Sequence, residues 1–299
     1  MQPLPVVLVP SLINKAWILD LEPDRSLVAA LAAKGHHVFL VDWGEPGPED
    51  ADEDVGYVVK ELLHRSVVRA CRHVRAERAH LLGYCMGGTV AAVYAALHPE
   101  RIASFVALNT PVRFSEGGRF RELVAGADFD IDDVVGADGL VPVAVMRPAF
   151  NLLDPVGAVT KYGAVEAAAG EPRKFARVMA RERWLEENVP MAGAFAREFL
   201  RHTYRDDDLL EGGWTVRGRV VSLRNITAPL LLVSCSRDFI APPAACLPLA
   251  EAVGAPVRRV ERLDCGHIGV VVGAEGPKQF YPLLDRWFRD PGATSGGTP

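Results

Sequence analysis

No apolar run in the 299 residues approaches the roughly 18 that a membrane-spanning helix requires. The opening MQPLPVVLVP has neither a basic leading segment nor an apolar stretch of secretory length. A span and a cleaved leader are therefore not expected, and the cytoplasm is the expected compartment. Cysteine is scarce and badly spaced for structural use. There are five, an odd number, without a C-x-x-C pair, which argues against a disulfide framework and a zinc site, so no metal is expected. A concentrated basic face is also missing. The net charge is −5, and Arg65, Arg69, Arg72, Arg75 and Arg78 alternate with apolar residues like the wet side of a helix, which argues against nucleic acid and anionic membranes as partners. There is no internal repeat, and low complexity is confined to Pro291–Pro299, where a disordered tail is expected.

What remains is a chain with 49% hydrophobic and 24% charged residues, enough for one large core with an insertion. Val6–Val9 and Val38–Val41 are apolar β-branched runs, and Ser26–Lys34 between them has helical periodicity closed by Gly35. A helix over Val55–Val74, a strand at Ala79–Leu82, a helix over Thr89–Leu97 and a strand at Ser104–Leu108 continue the alternation. It resumes with a strand at Pro229–Ser234, a helix over Ala244–Val253, a strand at Val257–Leu263 and an amphipathic helix over Lys278–Arg289. Such alternation predicts an α/β fold with a mostly parallel central sheet and helices on both faces. Between residues 112 and 225 the pattern lapses into helical pieces (Arg173–Trp184, Ala192–Tyr204) and reads as a mostly helical cap. The expected organisation is a core of residues 1–111 and 226–290, a cap of 112–225 and a tail of 291–299.

Gly83-Tyr84-Cys85-Met86-Gly87-Gly88 falls between a strand and a helix. It reads G-x-C-x-G, a nucleophile elbow carrying a thiol where serine is usual. The turn is tight, so Gly83 and Gly87 are expected where a Cβ would clash. The helix that follows points its free N–H groups at the sulfur and favours thiolate chemistry. Such a thiol needs a base. Of the eight histidines, His267 in Asp264-Cys265-Gly266-His267-Ile268-Gly269 follows the last strand, where the order nucleophile, acid, histidine places it. Asp238, just after Pro229–Ser234, is the expected acid, with Asp264 its rival. For the oxyanion, the Met86 N–H is one expected donor and Leu12 N–H the other, with Ile13 as alternative. Asn14 and Trp184 are candidate substrate-binding residues. Asn14 reads equally as a loop-orienting or simple turn residue, and Trp184, Phe195, Phe199 and Trp214, which could supply apolar wall, read more readily as plain cap core.

These residues resemble class III polyhydroxyalkanoate synthases, specifically the catalytic subunit, within the α/β-hydrolase superfamily. The likeness rests on GYCMGG, on Val9-Pro10-Ser11-Leu12-Ile13-Asn14-Lys15 running into Ile18-Leu19-Asp20-Leu21, and on Val38 to Gly44. It continues through Val221 to Ile226, Asp238 with Pro242-Pro243, and Gly266-His267-Ile268-Gly269. It spans nearly the whole chain. It implies an α/β-hydrolase fold and an acyltransferase that loads (R)-3-hydroxyacyl groups from CoA thioesters onto Cys85 and passes them to the hydroxyl end of a growing polyester. It further implies His267 as base, Asp238 assisting hydroxyl activation, no cofactor beyond the CoA thioester substrate, a second non-catalytic subunit and a granule surface. A homodimer is left open. The chain opens closer to its first core strand than such synthases usually do, and carries Glu187 near where they often have aspartate. A thioesterase or dienelactone-type hydrolase uses the same constellation if water is the acceptor. A non-catalytic homologue would not need it intact.

Overall fold

The computed structural model describes residues 2–153, 166, 168 and 170–292, without the side chains of 149–153. The expected disordered tail, from residue 293 on, and residues 154–165, 167 and 169 of the expected cap lie outside the described residues. Strand β1 (Pro5–Val9) is buried along its whole length. It pairs in parallel with β2 (His37–Leu40) on one side and β3 (Ala79–Tyr84) on the other. With β4 (Ile102–Leu108), β5 (Leu230–Cys235) and β6 (Arg258–Leu263) the order is β6-β5-β4-β3-β1-β2, every pair parallel. The chain thus starts in the sheet, steps to one edge and returns to build the other way. That reversal opens a crevice at the carboxyl ends of β1 and β3.

Strand residues alternate between two cores. Val7, Val9, Leu81, Phe105 and Leu232 join the one that also holds the helices before and after β3. Val6, Leu8, Leu82, Val106 and Leu231 join the other, under α1 (Leu27–Ala33) and the final helix Tyr281–Arg289. Burial on both faces is why the inner strands read as continuous apolar runs rather than as alternating ones. Edge strand β6 does alternate, presenting arginines outward as edge strands of soluble sheets do. Ser26 caps α1, its Oγ accepting the Ala29 N–H at 2.7 Å.

Two expected helices differ in detail. Val55–Val74 is one helical path, but Val58–Leu63 widens to π geometry before α2 (His64–Val74). Ala244–Val253 is two short helices, Pro243–Cys246 and Leu249–Ala252. Pro248 lacks the N–H that a continuous helix would use there. Between β4 and β5 the described residues add no strand to the central sheet. They form helices over Gly118–Val124, Val143–Leu153, Pro172–Glu186 and Gly193–Leu200 and two short antiparallel pairs. Glu198 fastens this layer to the core: its Oε1 accepts the Trp214 indole N–H at 3.1 Å and its Oε2 the Val55 N–H at 2.9 Å.

Candidate active site

Cys85 stands between β3 and α3 (Met86–Leu97) with φ 56° and ψ −130°, a left-handed strain that L residues rarely accept. The strain holds because the turn is pinned on all sides. Cys85 N–H donates to Leu108 O at 3.0 Å, and Gly88 N–H and Thr89 N–H return to Cys85 O. A Cβ at Gly83 would lie 2.5 Å from the Gly88 Cα, and one at Gly87 would lie 2.1 Å from Pro10 O. The second figure matters for chemistry, because Gly87 is what lets the loop after β1 lie directly against the elbow. Gly87→Ala is expected to destabilise the fold by about 1–3 kcal/mol in a denaturant titration. By pushing that loop away it should also slow turnover about 10²-fold, the scale of one lost oxyanion donor.

His267 follows β6 and Asp238 follows β5. Their loops converge so that His267 Nδ1 meets Asp238 Oδ2 at 2.6 Å, with the His267 ring nearly buried and the carboxylate fully so. The other Asp238 oxygen accepts the Ile240 and Ala241 N–H groups, each at 2.9 Å. Nδ1 being occupied, Nε2 is the ring nitrogen left free to face Cys85. Burial alone would lower the imidazole pKa. The negative charges of Asp238 and of a Cys85 thiolate, with their hydrogen bonds, outweigh it and hold His267 well above the ordinary range. Asp264, the rival acid, lies on the surface, taking the Ser236 hydroxyl at 2.9 Å and the Arg237 guanidinium at 3.1 Å.

Three residues not singled out by sequence reasoning complete the setting. Tyr84 stacks on the His267 ring at 5.1 Å and its hydroxyl donates to His267 O at 3.2 Å. Asn109, at positive φ just past β4, donates its amide to the same carbonyl at 3.3 Å while its Oδ1 accepts the Cys235 N–H at 3.1 Å. Thr110 packs its hydroxyl where a Gly88 side chain would be. The readable signal for Asn109 was its place at the carboxyl end of a central strand, where functional side chains of parallel sheets collect. Nearby, Cys235 and Cys265 sit sulfur to sulfur at 3.4 Å as free thiols.

In the loop after β1, Ile13 lines the cavity beside Cys85 and Met86, and Leu12 packs on the core. The cap fixes this loop: Ile13 O accepts the Val189 N–H at 3.0 Å and the Asn188 side chain at 3.3 Å, and Asn14 bridges Asn188 as an isolated antiparallel pair. Trp184 is buried with its indole N–H on Lys15 O at 2.7 Å, and Glu187 accepts the Trp17 indole at 3.0 Å. Neither Trp184 nor Asn14 is among the cavity-lining residues. Both tie the segment around Trp184 to Asn188 to the loop after β1. Of the four cap aromatics, Phe199 alone reaches the cavity wall; Phe195 stacks on it from behind at 5.3 Å.

The cavity over Cys85 measures about 390 Å³ and is walled almost wholly by hydrocarbon. It lies under the helices and loops that separate β4 from β5. Among the described residues no helix is long and apolar enough to cross a membrane.

Comparison with known proteins bears on this arrangement. The alpha/beta hydrolase fold family matches residues 5–274. The chain is 30% identical over 295 residues to the poly(3-hydroxyalkanoate) polymerase subunit PhaC of Synechocystis, covering 96% of this chain and 78% of that protein. It is 28% identical over 290 residues to the PhaC of Allochromatium vinosum, covering 97% and 81%. Among solved structures, a hydrolase from Pseudomonas aeruginosa superposes with a TM-score of 0.58 at 19% identity, covering 97% of this chain and 91% of that one. The enol-lactonase of Burkholderia xenovorans does so with 0.53 at 18% identity, covering 96% and 92%. At such identities the solved structures speak to the fold alone.

Proposed function

The chain belongs to the alpha/beta hydrolase fold family and, within it, to the poly(3-hydroxyalkanoate) polymerases, and from that premise we propose how its residues transfer (R)-3-hydroxyacyl groups from CoA to a growing polyester. The Cys85 thiolate attacks the thioester carbonyl. The oxyanion that forms is held by the Met86 N–H and the Ile13 N–H, aided by the N-terminal end of α3. Collapse expels the CoA thiolate, which takes the proton of His267, and leaves the acyl group on Cys85. Neutral His267 then removes the proton from an incoming hydroxyl, whose oxygen attacks the enzyme thioester and frees the thiol. Asp238 keeps the ring oriented and stabilises it each time it is charged.

The observation that carries this reading is the buried Asp238–His267 pair beside a strained elbow thiol under an apolar chamber. Exchange of one thioester for another is nearly level in energy. Transfer to an alcohol is downhill, provided water does not reach the intermediate first. Residues 112–225 act as the lid that excludes it, over a core of 1–111 and 226–290. The reading retains a second, non-catalytic subunit and a granule surface as partners, and the CoA thioester as substrate rather than a bound cofactor.

The test is product analysis. Purified chain, alone and with candidate partner subunits from the same genome, is given a series of (R)-3-hydroxyacyl-CoA esters while free thiol is monitored. The expected result is CoA release with hydroxyl-to-acyl ester bonds in the product. Release of free acid alone would replace the synthase reading with a thioesterase.

A further inference from the structure

Cys235 closes β5, Cys265 opens the loop after β6 that carries His267, and their sulfurs stand 3.4 Å apart as free thiols. Acyl transfer through Cys85 uses neither. The backbone holds the two segments together: Ser236 N–H donates to Leu263 O at 2.9 Å and Arg237 N–H to Cys265 O at 3.1 Å. The thiols therefore stay in register with the sheet, and a closure of about 1.4 Å would bond them.

The two sulfurs differ in character. Sharing its proton with Cys265 pushes the Cys235 thiol up in pKa and burial adds to this, whereas the same hydrogen bond, helped by the Arg237 guanidinium, lowers Cys265. One cysteine keeps its proton and the other is readied as thiolate, the division of labour between a resolving and an attacking thiol. Cys265 is also the one a small oxidant reaches. Half-buried Gly266 and Gly269 flank it, and a side chain at Gly269 would lie 3.6 Å from its Cβ, so no side chain at either position covers it.

We propose that Cys235 and Cys265 form a redox site, closed to a disulfide by hydrogen peroxide and reopened by a dithiol, and that the closed form slows acyl transfer. The Cys265 thiolate attacks one peroxide oxygen, the O–O bond breaks, and the departing hydroxide takes up a proton from solvent to leave as water. Cys265 is then a sulfenic acid. The Cys235 sulfur attacks the Cys265 sulfur, the S–S bond forms as the S–O bond breaks, and the hydroxide leaves as water with the Cys235 proton. Two thiols and one peroxide give one disulfide and two waters; the sulfurs lose the two electrons that the peroxide gains.

The site acts on turnover through position. Cys265 is two residues from His267 and Cys235 three from Asp238, and Asn109 already joins the same loops, its amide on His267 O at 3.3 Å and its Oδ1 on the Cys235 N–H at 3.1 Å. Drawing the sulfurs together moves both loops behind the 2.6 Å contact between His267 and Asp238. Displacement of such a group by about 1 Å costs about 10²-fold, so a slowing of at least about tenfold is expected.

The experiment has two arms. In Cys85→Ala, which lacks the reactive elbow thiol, peroxide treatment followed by unreduced peptide mapping is expected to give a Cys235–Cys265 cross-linked peptide, two hydrogens lighter than its parts and lost on adding dithiothreitol. In the second arm CoA release is compared before and after peroxide, and again after dithiothreitol, in wild type, Cys235→Ala and Cys265→Ala. Wild type is expected to lose at least about tenfold more than either variant and to regain it. Each protein is its own reference, so the fraction folded cancels, and either variant alone suffices. Separate peptides, or a sulfinic acid on Cys265 without a link, would overturn the inference. So would equal losses in all three proteins, which would place the sensitivity at Cys85, or a cross-link that leaves the rate unchanged. The mapping arm needs no substrate, so a failure of the acyl-transfer reading is told apart from a failure of this one.

Discussion

Cys85→Ala is expected to eliminate CoA release from every hydroxyacyl-CoA, a fall of at least about 10⁴-fold in kcat/KM, the scale on which removal of a covalent nucleophile acts. The size follows from what is left. His267, Asp238 and the two backbone donors survive the substitution, but no atom remains within reach that can carry the acyl group between donor and acceptor. Direct attack by the acceptor hydroxyl on the CoA thioester would require both substrates to occupy one crevice at once. Intact-mass measurement supplies the independent check. Wild-type protein stopped in the first turnovers should gain the mass of one acyl group, and the variant should gain nothing. Alanine at φ 56° keeps the strain of the elbow, so only a modest stability change is expected alongside. Turnover that survives this substitution would end the covalent mechanism.

Asp238→Asn is expected to cost about 10²–10⁴-fold in kcat with the fold intact, the range in which a mis-set histidine tautomer acts. Asparagine is nearly the same shape, and its carbonyl can still accept the Ile240 and Ala241 N–H groups that Asp238 accepts. Its amide then faces His267 Nδ1 and donates to it. That places the ring proton on Nε2, the nitrogen that must accept a proton from the incoming hydroxyl. The change also removes the charge that contributes most to holding the imidazolium. With the histidine pKa raised in the native protein, the alkaline limb of CoA release should lie well above pH 6.5, and in Asp238→Asn it should move down. Stability follows the same sign. The pairing of protonated His267 contributes fully below the unfolded imidazole range, and that contribution is lost as pH rises through the raised native value. Denaturant midpoints of wild type and His267→Gln should therefore converge as pH increases. A wild-type alkaline limb near 6.5 would show that the pair does not hold the proton.

The sheet was largely legible because its inner strands are buried on both faces and its connecting helices are regular. Cys85, His267 and Asp238 were legible for a local reason: each sits in a short Gly- or Pro-marked loop directly after a strand. Tyr84 and Asn109 were not, because their roles arise from contacts 183 and 158 residues away in the chain. Leu12 and Ile13 show a finer limit. In a tight turn adjacent residues face opposite ways, and only the neighbouring backbone of Asn188 and Val189 decides which one meets the cavity. Trp184 illustrates the converse. A tryptophan in a cap helix is equally suited to walling a chamber or bracing a loop, and its periodicity does not say which neighbour lies beneath it.

The separation of Tyr84 from His267 by 183 residues also has a consequence for biosynthesis. Ribosomes add about 5–20 residues per second, so roughly 10–40 s pass between emergence of the elbow and arrival of the loop that carries its base. Strands β1 to β3 are made before that interval and β4 soon after it opens, while β5 and β6, which deliver Asp238 and His267, are made near its end. A nascent chain therefore holds a nucleophile with no proton acceptor and an unfinished chamber. Asp238 and His267 come to stand beside the elbow only once the last two strands have joined the sheet.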